Sequence, residues 1–405
     1  MIKDLSDITK NTAKGMVFGI ERCRTILDRL GSPDNELEIV HIAGTNGKGS
    51  VAEYMTDILV CAGKRTGTFT SPAVFSYNEQ FRVDGKPLDD SKLSGYLRET
   101  VKAAEGTGAT QFEIETAAAL YAFYKEGCAY AVVECGLGGT YDATNAISHK
   151  KLALISTVAL EHTKYLGNDI KSICEHKFGI VKDCGVVVSA LQSDGAKEFF
   201  KSKNADFADG KINIVNSGMC GTDFEYGGKM YRLSCVGSYA QPYNAALAIE
   251  GARRLKIAES AIYMGVNCAK PRGRIEVKRA HGLTVVLDGA HNPDSFKPLS
   301  AFLKSGAVEG DRVIIFGCLA DKDIDGNLAL LQGLGKCIIA VQCPGDRALA
   351  LDKIHVSCLK YFENAVKADS VGDALNLAVK ISKTAVVCGS FTLLKEADKW
   401  IEKGL

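Results

Sequence analysis

EIVHIAGTNGKGS, at residues 38–50, is the most informative stretch of this sequence. The apolar run at 38–43 predicts a buried strand, and residues 50–62 predict a helix that stops at Gly63. Between them, the glycines let an anion approach closely, and the backbone N–H groups and the helix N-terminus face it. Lys48 would neutralise the outer phosphates of a nucleotide. This order of strand, turn and helix predicts a phosphate-binding loop.

The spacing inside this loop departs from the standard phosphate-loop motif, because an extra glycine separates Lys48 from Ser50. In the standard motif a hydroxyl directly after the lysine can hold Mg²⁺. The alternative interpretation is a tight glycine turn with a solvated lysine. The strand before the loop and the helix after it favour phosphate binding.

Predicted strands and helices alternate along most of the chain. The glycine- and asparagine-rich segment at 206–236 is different, because its short runs of alternating polar and apolar residues predict small antiparallel strands. The other predicted strands lie at 129–134, 152–157, 186–188, 284–288, 312–317, 337–341 and 384–388. This alternation predicts an α/β fold with mainly parallel sheets. Pro271 and Gly273 punctuate the join, so the predicted domains are 1–270 and 271–405.

The composition of the 405 residues excludes several classes of protein. With 46% hydrophobic and 24% charged residues, the chain is neither disordered nor a coiled coil. A net charge of +1 gives no reason to expect nucleic acid or a membrane as a partner. No apolar segment reaches membrane-spanning length and the first residues lack a signal-peptide core, so we expect a cytoplasmic protein. The fourteen scattered cysteines favour reduced thiols over disulfides or a zinc site.

Polar side chains follow two further strands of the first predicted domain. Glu134 ends one strand and is followed by the Gly-rich turn at 136–139, and His162 comes shortly after the next strand. Ligand sites of open α/β sheets lie at the carboxyl ends of the strands, where a carboxylate suits Mg²⁺. We therefore expect Glu134 and His162 at adjacent strand ends. The alternative for Glu134 is a surface acid beside a turn, and for His162 a packed or exposed side chain. For Lys177, fifteen positions on, the alternative is an exposed helix lysine.

The second predicted domain opens with a similar pattern. Asp288 ends a strand and His291 lies in the turn that follows it. Arg274 lies just upstream, in the predicted join, from where a basic residue could reach a phosphate bound by the first domain. The alternative for Arg274 is a solvated linker charge.

In their order and spacing, these motifs resemble the dihydrofolate synthase/folylpolyglutamate synthase family of the Mur ligase superfamily over nearly the whole chain. The stretches that carry the resemblance are 19–22, 44–50, 70–72, 112–116, 134–145 (ECGLGGTYDATN), 161–167, 177–180, 241–246, 273–274, 288–293, 319–323 and 389–390. The resemblance implies a Mur ligase-type ATPase domain followed by a smaller Rossmann-like domain. It also implies an ATP- and Mg²⁺-dependent ligase that adds L-glutamate to dihydropteroate, to folates or to both through an acyl phosphate, releasing ADP and phosphate.

The resemblance assigns roles to this chain position by position. Contacts to ATP would come from Thr45, Asn46, Gly47, Lys48, Gly49, Ser50, Asn244, Arg274, Asp288 and His291. The Mg²⁺ ligands would be Ser71, Glu134 and His162. The wall for the pterin-bearing substrate would comprise Thr110, Gln111, Phe112, Glu113, Tyr141, Asp142 and Ala143. The catalytic residues would be Lys48, His162 and Lys177, of which Lys177 matches a lysine that family members carbamylate.

Four positions depart from the family pattern: Ala73 replaces a usual His, Thr140 a usual Arg, Glu161 a usual Asp and His176 a usual Glu. The first two keep open a Mur-type ligase that acts on a different carboxylate acceptor. A third alternative is a nucleotide-binding protein without catalysis. The retention of Lys48, Glu134, His162 and Lys177 argues against it. We expect small-molecule substrates only and a monomer.

Overall fold

The computed structural model describes residues 19–182, 184, 186–208, 210–219, 221–234, 240–308 and 310–403. Within them, two large and mainly parallel sheets confirm the predicted α/β class. The first sheet has the order β4-β3-β2-β5-β1-β6-β7-β8. Its strands are β1 Glu38–Ala43, β2 Thr66–Phe69, β3 Phe81–Val83, β4 Lys86–Pro87, β5 Tyr130–Glu134, β6 Leu152–Ile155, β7 Val187–Ser189 and β8 Asp206–Phe207. Only β3 and β4 pair antiparallel to their neighbours.

Helices cover both faces of this sheet, which is why its central strands are nearly continuous apolar runs. The helices are α1 Glu21–Arg29, α2 Lys48–Cys61, α3 Asp90–Ala103, α4 Gln111–Lys125, α5 Thr163–Leu166, α6 Ile170–Phe178, α7 Asp194–Ser202, α8 Ala240–Arg254 and α9 Glu259–Cys268. Successive side chains of β1 point to opposite faces. Val40 and Ile42 pack with α2 and α8, whereas Ile39 packs with α1 and α4.

The segment at 206–236 forms the predicted small antiparallel sheet only in part. Strands β9 Ile212–Gly218, β10 Gly221–Tyr226 and β11 Lys229–Leu233 form a three-stranded antiparallel sheet. The prediction is wrong for β8, which pairs parallel with β7 and extends the large sheet. Val236, at the end of the predicted segment, lies outside the described residues.

The second sheet has the order β12-β13-β17-β14-β15-β16, with only β12 antiparallel to its neighbour. Its strands are β12 Glu276–Ala280, β13 Leu283–Leu287, β14 Arg312–Phe316, β15 Cys337–Ala340, β16 Ala365–Lys367 and β17 Thr384–Cys388. Its helices are α10 Pro293–Lys304, α11 Ile324–Leu331, α12 Leu351–Cys358, α13 Val371–Ile381 and α14 Phe391–Glu402. The sheet starts shortly after residue 270, while the predicted division between 270 and 271 stays a prediction.

Two further findings concern the described residues. No helix among the described residues is long and apolar enough to cross a membrane. Twelve cysteines lie in the described part of the chain, and all twelve are free thiols. Most of them are buried among apolar side chains, as expected for reduced cysteines.

Candidate nucleotide and metal site

The carboxyl end of β1 carries the predicted phosphate loop, which runs from Gly44 into α2. A Cβ at Gly44 would overlap the Ser156 hydroxyl, and a Cβ at Gly47 would overlap the Asn244 side-chain oxygen. Both glycines also have positive φ, at +146° and +91°, so no other residue fits here without strain. The amide of Thr45 donates to the carbonyl of Thr157 at 2.8 Å and thereby ties the loop to the end of β6.

Lys48 is the first residue of α2, and Ser50 follows in its first turn. Lys48 Nζ donates to the Thr45 carbonyl at 3.2 Å, so the ammonium group folds back over the loop. The buried Ser50 hydroxyl accepts a hydrogen bond from Gln241 Nε2 at 3.2 Å, and Tyr54 donates to the same amide side chain. Gln241, which was assigned no role above, therefore connects the phosphate loop to α8.

The predicted metal ligands surround the loop at neighbouring points of the sheet edge. Glu134 ends β5, and His162 follows β6. In the sheet order β5-β1-β6 these two strands lie on either side of β1, so the expectation that they are adjacent is wrong. Glu134 Oε2 accepts a hydrogen bond from the Ser71 backbone amide at 3.3 Å, and it would lie 3.5 Å from a Cβ at Gly49. Burial raises the pKa of Glu134, whereas the positive charges of Lys48 and Arg274 act in the opposite direction.

His162 adopts a left-handed backbone conformation, with φ at +53°, just before α5. Burial lowers the pKa of His162 to about 4, although the neighbouring Glu161 carboxylate acts against this. The imidazole is therefore neutral at physiological pH and keeps a lone pair for a metal ion. No cluster of three or more His, Cys, Asp or Glu side chains suited to a metal occurs within the described residues.

Lys177 lies near the end of α6 and only 3% of it is exposed. Its Nζ donates to the Gly44 carbonyl at 2.7 Å, so the side chain reaches the base of the phosphate loop. Burial, helped by the charge of Lys48, lowers the pKa of Lys177 to about 7. The turn at 136–139 packs against this end of α6, where a Cβ at Gly139 would come within 2.5 Å of the His176 carbonyl.

The second domain brings Arg274 to the same cavity. Its guanidinium lies 4.6 Å from the centroid of the Phe391 ring. Burial lowers the pKa of Arg274, and the charges of Asp288 and Glu134 oppose that shift. Asp288 is placed differently, because its two oxygens accept hydrogen bonds from the backbone amides of Ile275 and Ala290, each at 2.8 Å. Asp288 thus fixes the segment that carries Arg274.

Sequence reasoning missed a polar cluster that joins the two domains. The Glu161 carboxylate accepts hydrogen bonds from Asn292 Nδ2 at 3.0 Å and from Lys322 Nζ at 3.1 Å, and it lies 3.4 Å from His291 Nε2. Burial would raise the pKa of Glu161, but the hydrogen bond to His291 and the charge of Lys322 outweigh it and lower the pKa. The only sequence signal was that Asn292 and Lys322 lie in stretches that carry the family resemblance.

One cavity of about 440 Å³ collects most of these side chains. It lies between the two domains. Its lining includes the phosphate loop from Thr45 to Ser50, Ser71, Glu134, Glu161, His162, Arg274, His291 and Phe391. Lys177, Asn244 and Asp288 are buried and are not among its lining residues. A cavity with a phosphate loop, a buried carboxylate and cations from both domains can bind a polyanion together with a cation.

The predicted acceptor wall contains two carboxylates, Glu113 and Asp142, and both already have partners within the protein. Glu113 forms a capping box with Thr110 and an ion pair with Arg22 at 2.9 Å. Asp142 accepts hydrogen bonds from the Leu137 and Thr144 amides. Burial raises the pKa of Asp142, against the effect of these bonds.

The remaining wall residues have different surroundings. Phe112 packs against Gly136, Gln111 donates to Glu115, and Ala143 is buried. Tyr141 is 53% exposed and lines a second cavity of about 370 Å³. The other residues around that cavity are Gly19, Glu21, Tyr165 and His176. The predicted wall therefore separates into a packed part and an aromatic, open part.

Comparison with known families finds two matching models. Residues 42–226 match the Mur ligase middle domain, and residues 273–391 match the glutamate ligase domain of Mur ligases. Both matches fall within the predicted domains. The first begins at the end of β1, and the second begins one residue before Arg274.

Relatives with known names cover nearly the whole chain. The dihydrofolate synthase/folylpolyglutamate synthase of Escherichia coli is 30% identical over 400 residues, covering 96% of this chain and 92% of the relative. The structure of Mycobacterium tuberculosis folylpolyglutamate synthase with ADP and AMPPCP is 28% identical, with a TM-score of 0.87 and 95% of each chain covered. A bifunctional folylpolyglutamate synthase/dihydrofolate synthase with Mn, AMPPNP and L-glutamate bound is 25% identical, with a TM-score of 0.83 and 99% of this chain and 98% of that one covered.

Proposed function

This chain belongs to the dihydrofolate synthase/folylpolyglutamate synthase family of Mur ligases, and we propose from this that it is an ADP-forming ligase of L-glutamate. The acceptor is dihydropteroate, a (tetrahydro)folate, or both. One observation carries the proposal: the phosphate loop, the buried Glu134 and the second-domain Arg274 line a single cavity. A ligase of this kind needs ATP, a cation and the acceptor carboxylate in one enclosed place.

The donor set fits a divalent cation, and we assign it to Mg²⁺. Glu134 is a buried carboxylate that lines a polar cavity, and its ionised form gains from a cation because burial disfavours its charge. Mg²⁺ typically uses one or two carboxylates and takes its remaining ligands from water and phosphate oxygens. Glu134, the Ser71 hydroxyl and the neutral His162 would hold it. The bound cation would offset charge on the transferred phosphoryl group.

The side chains of this cavity suit acyl-phosphate chemistry. A carboxylate is a poor electrophile, so the acceptor is first phosphorylated by ATP, and the amino group of L-glutamate then displaces phosphate. Lys48 and the N-terminus of α2 stabilise negative charge on the transferring group. Arg274 approaches from the second domain, so closure of the domains adds a positive charge and excludes water that would hydrolyse the intermediate.

Lys177 acts as an N6-carboxylysine in this proposal. Carbamylation requires the neutral amine, and a pKa of about 7 leaves a large neutral fraction at physiological pH. A free ammonium beside Lys48 would repel the cation, whereas a carbamate supplies oxygen ligands to it or to its water molecules. The hydrogen bond from Lys177 Nζ to the Gly44 carbonyl, at the base of the phosphate loop, supports this role.

A rescue experiment tests this role. Lys177→Ala should abolish turnover, and short carboxylic acids added to that variant should restore part of it by supplying the missing carboxylate. Unchanged turnover of the alanine variant at low bicarbonate would contradict the assignment, because a carbamate would then be unnecessary. Rescue by short amines instead of acids would show that Lys177 works as a cation.

The acceptor is assigned to the wall that starts at Phe112 and Tyr141. The exposed Tyr141 ring and the second cavity beside it suit a flat heterocycle that stacks on aromatic side chains. Because Glu113 and Asp142 are already hydrogen-bonded, they shape this wall, and their carboxylates are less available to the substrate. Of the two departures from the family pattern, Thr140 directly precedes Tyr141 and Ala73 lines the first cavity, and they keep a different carboxylate acceptor as the second candidate.

A panel of acceptors measured by ADP release separates these functions. Dihydropteroate, folates of increasing glutamate number and unrelated carboxylic acids are each supplied with ATP and L-glutamate. Release of ADP that depends on a pterin acceptor supports the proposal, whereas dependence on another carboxylate supports the second candidate. No acceptor-dependent release would leave a nucleotide-binding protein without ligase activity. The monomeric state and the cytoplasmic location also remain predictions.

A further inference from the structure

Glu161 is the centre of the densest polar contact that the described residues make between the two domains. It lies in the loop between β6 and α5, whereas its partners Asn292 and Lys322 follow strands of the second sheet. His291 Nε2 also lies 3.4 Å from the same carboxylate. One side chain of the first domain therefore contacts three side chains of the second.

This cluster is shielded from solvent. The side chain of Glu161 is 12% exposed and that of Lys322 is 11% exposed. Salt and water weaken such a pair less than a surface pair, and leaving one partner alone in this setting is costly. Opening of the domains would expose the cluster to water. The contact therefore favours the closed arrangement.

The cluster also contacts the phosphate loop, and it lies directly beside the candidate metal ligand His162. Asn292 exchanges side-chain hydrogen bonds with Asn46 of the phosphate loop, at 3.3 and 3.4 Å. Glu161 directly precedes His162, whose left-handed backbone conformation is unfavourable for a residue with a Cβ. A loop that is held in such a conformation depends on the contacts around it. The contacts at Glu161 come from the other domain.

We propose that Glu161 is a positioning residue: the second domain holds its carboxylate, and this contact fixes the loop so that His162 is placed for a metal ion only when the domains are closed. The Glu161 carboxylate reaches its partners in the second domain at 3.0 to 3.4 Å, so a side chain one methylene shorter should lose these contacts. The link to the metal rests on the proposed function, whereas the domain contact does not.

The first experiment measures the distance between the domains. Fluorescent amino acids placed at the exposed positions Tyr124 and Val356 report on the first and second domain. Without nucleotide, Glu161→Gln and Lys322→Met should each widen the distance distribution, and the double variant should widen it no further, because both remove one interaction. Glu198→Gln, an exposed change on α7, is the matched control and should leave the distribution as in the wild type.

The second experiment measures metal binding rather than turnover. With AMPPNP present, the affinity for Mn²⁺, followed by electron paramagnetic resonance, should fall about 10- to 100-fold in Glu161→Gln, the range typical of residues that orient a metal ligand. Nucleotide affinity without metal should change less. Glu161→Asp keeps the charge but shortens the reach, so it should behave like Glu161→Gln and gives a second variant if the first folds poorly.

Each outcome decides one step. Unchanged distances, or effects of Glu161→Gln and Lys322→Met that simply add, would overturn the domain contact. Widened distances with wild-type Mn²⁺ affinity would overturn the link to His162. If Glu161→Asp keeps both wild-type distance and affinity, the longer side chain is not what spans the cleft. Failure of the proposed function would appear separately, as missing acceptor-dependent ADP release in the wild type.

Discussion

Two positive charges or partial charges lie at the same end of the phosphate loop: the ammonium group of Lys48 and the N-terminus of α2, which Lys48 begins. The helix terminus remains when the side chain is removed. The lysine therefore contributes the mobile part of the charge, which can follow the phosphoryl group as it transfers. Its present contact with the Thr45 carbonyl is one that a bound phosphate would replace.

Lys48→Ala should lower kcat by at least 10²- to 10³-fold, the typical cost of losing one group that stabilises transition-state charge. Steady-state ADP release measures the effect, and circular dichroism checks that the variant is folded. Lys64→Ala, an exposed change just after α2, is the control and should keep the wild-type rate. A near-normal rate for folded Lys48→Ala would contradict the assignment of the phosphate loop.

The buried Lys177 should make stability depend on pH. Its pKa is about 7 in the folded chain and ordinarily 10.5, so between these values the unfolded chain holds a proton that the folded chain lacks. The contribution of Lys177 to the free energy of unfolding therefore rises with pH, by about 1.4 kcal/mol per pH unit.

The variant Lys177→Met has no titrating amine at this position and is the reference. The free energy of unfolding of the wild type minus that of Lys177→Met should increase by about 2–3 kcal/mol from pH 7 to pH 9. Chemical denaturation in carbonate-free buffer measures this, and a pH-independent difference would contradict the burial of a titrating amine.

At the scale of elements, apolar patterning predicts most of the strands that build the site. β1, β5 and β6 are buried on both faces, and their runs of branched and small apolar residues are visible in the sequence. The short strands β4 and β8 contain two residues each, too few to show a period of two, so the sequence did not predict the pairing of β8. Helix α2 begins two residues earlier than predicted, because the loop enters the helix directly at Lys48.

The functional residues also divide into those that a local sequence pattern predicts and those that it does not. Motif positions such as Gly44 and Glu134 are predictable because a local turn or strand end places them. The cluster around Glu161 depends on how two domains meet, and no local pattern encodes that. The spacing of Thr110 and Glu113 is that of a capping box, which the structure contains, although both residues were predicted only as part of the substrate wall.

The start of α2 allows a matched test of the phosphate loop. Gly47 and Gly63 flank this helix, and both have positive φ, at +91° and +70°. A Cβ at Gly47 would overlap the Asn244 side chain, whereas no atom lies within 4 Å of a Cβ at Gly63. Gly47→Ala should displace Asn244 and lower the affinity for AMPPNP at least tenfold by calorimetry. Gly63→Ala should cost about 1 kcal/mol of stability from backbone strain and leave the affinity unchanged. Equal affinities in the two variants would show that the Gly47–Asn244 contact does not shape the nucleotide site.

For the whole molecule, the first domain docks on the second through the loop that carries Ser71. Val74 and Phe75 pack against apolar residues of the second domain, and a Cβ at Gly273 would come within 3.0 Å of Val74. Ser71 is thus three residues from Val74, which contacts the other domain, while the Ser71 amide donates to Glu134. The orientation of the domains and the geometry of the candidate metal site are therefore linked through a short segment of chain.

Phe75→Ala tests this link at a residue that does not itself line the candidate nucleotide cavity. The Phe75 ring contacts two cations of the second domain, with the Arg272 guanidinium at 4.5 Å and Lys278 Nζ at 4.9 Å from its centroid. Two cation–π contacts at such sites contribute about 0.5–1 kcal/mol each, so their loss should weaken domain docking by about 1–2 kcal/mol. A ligand that binds only the closed form then loses up to about 5- to 30-fold in affinity, because a smaller fraction of the protein is competent to bind it. Calorimetry with AMPPNP measures the loss, and Tyr124→Ala, which removes an exposed ring on α4, is the control. An unchanged affinity in Phe75→Ala would mean that nucleotide binding does not depend on how this loop meets the second domain.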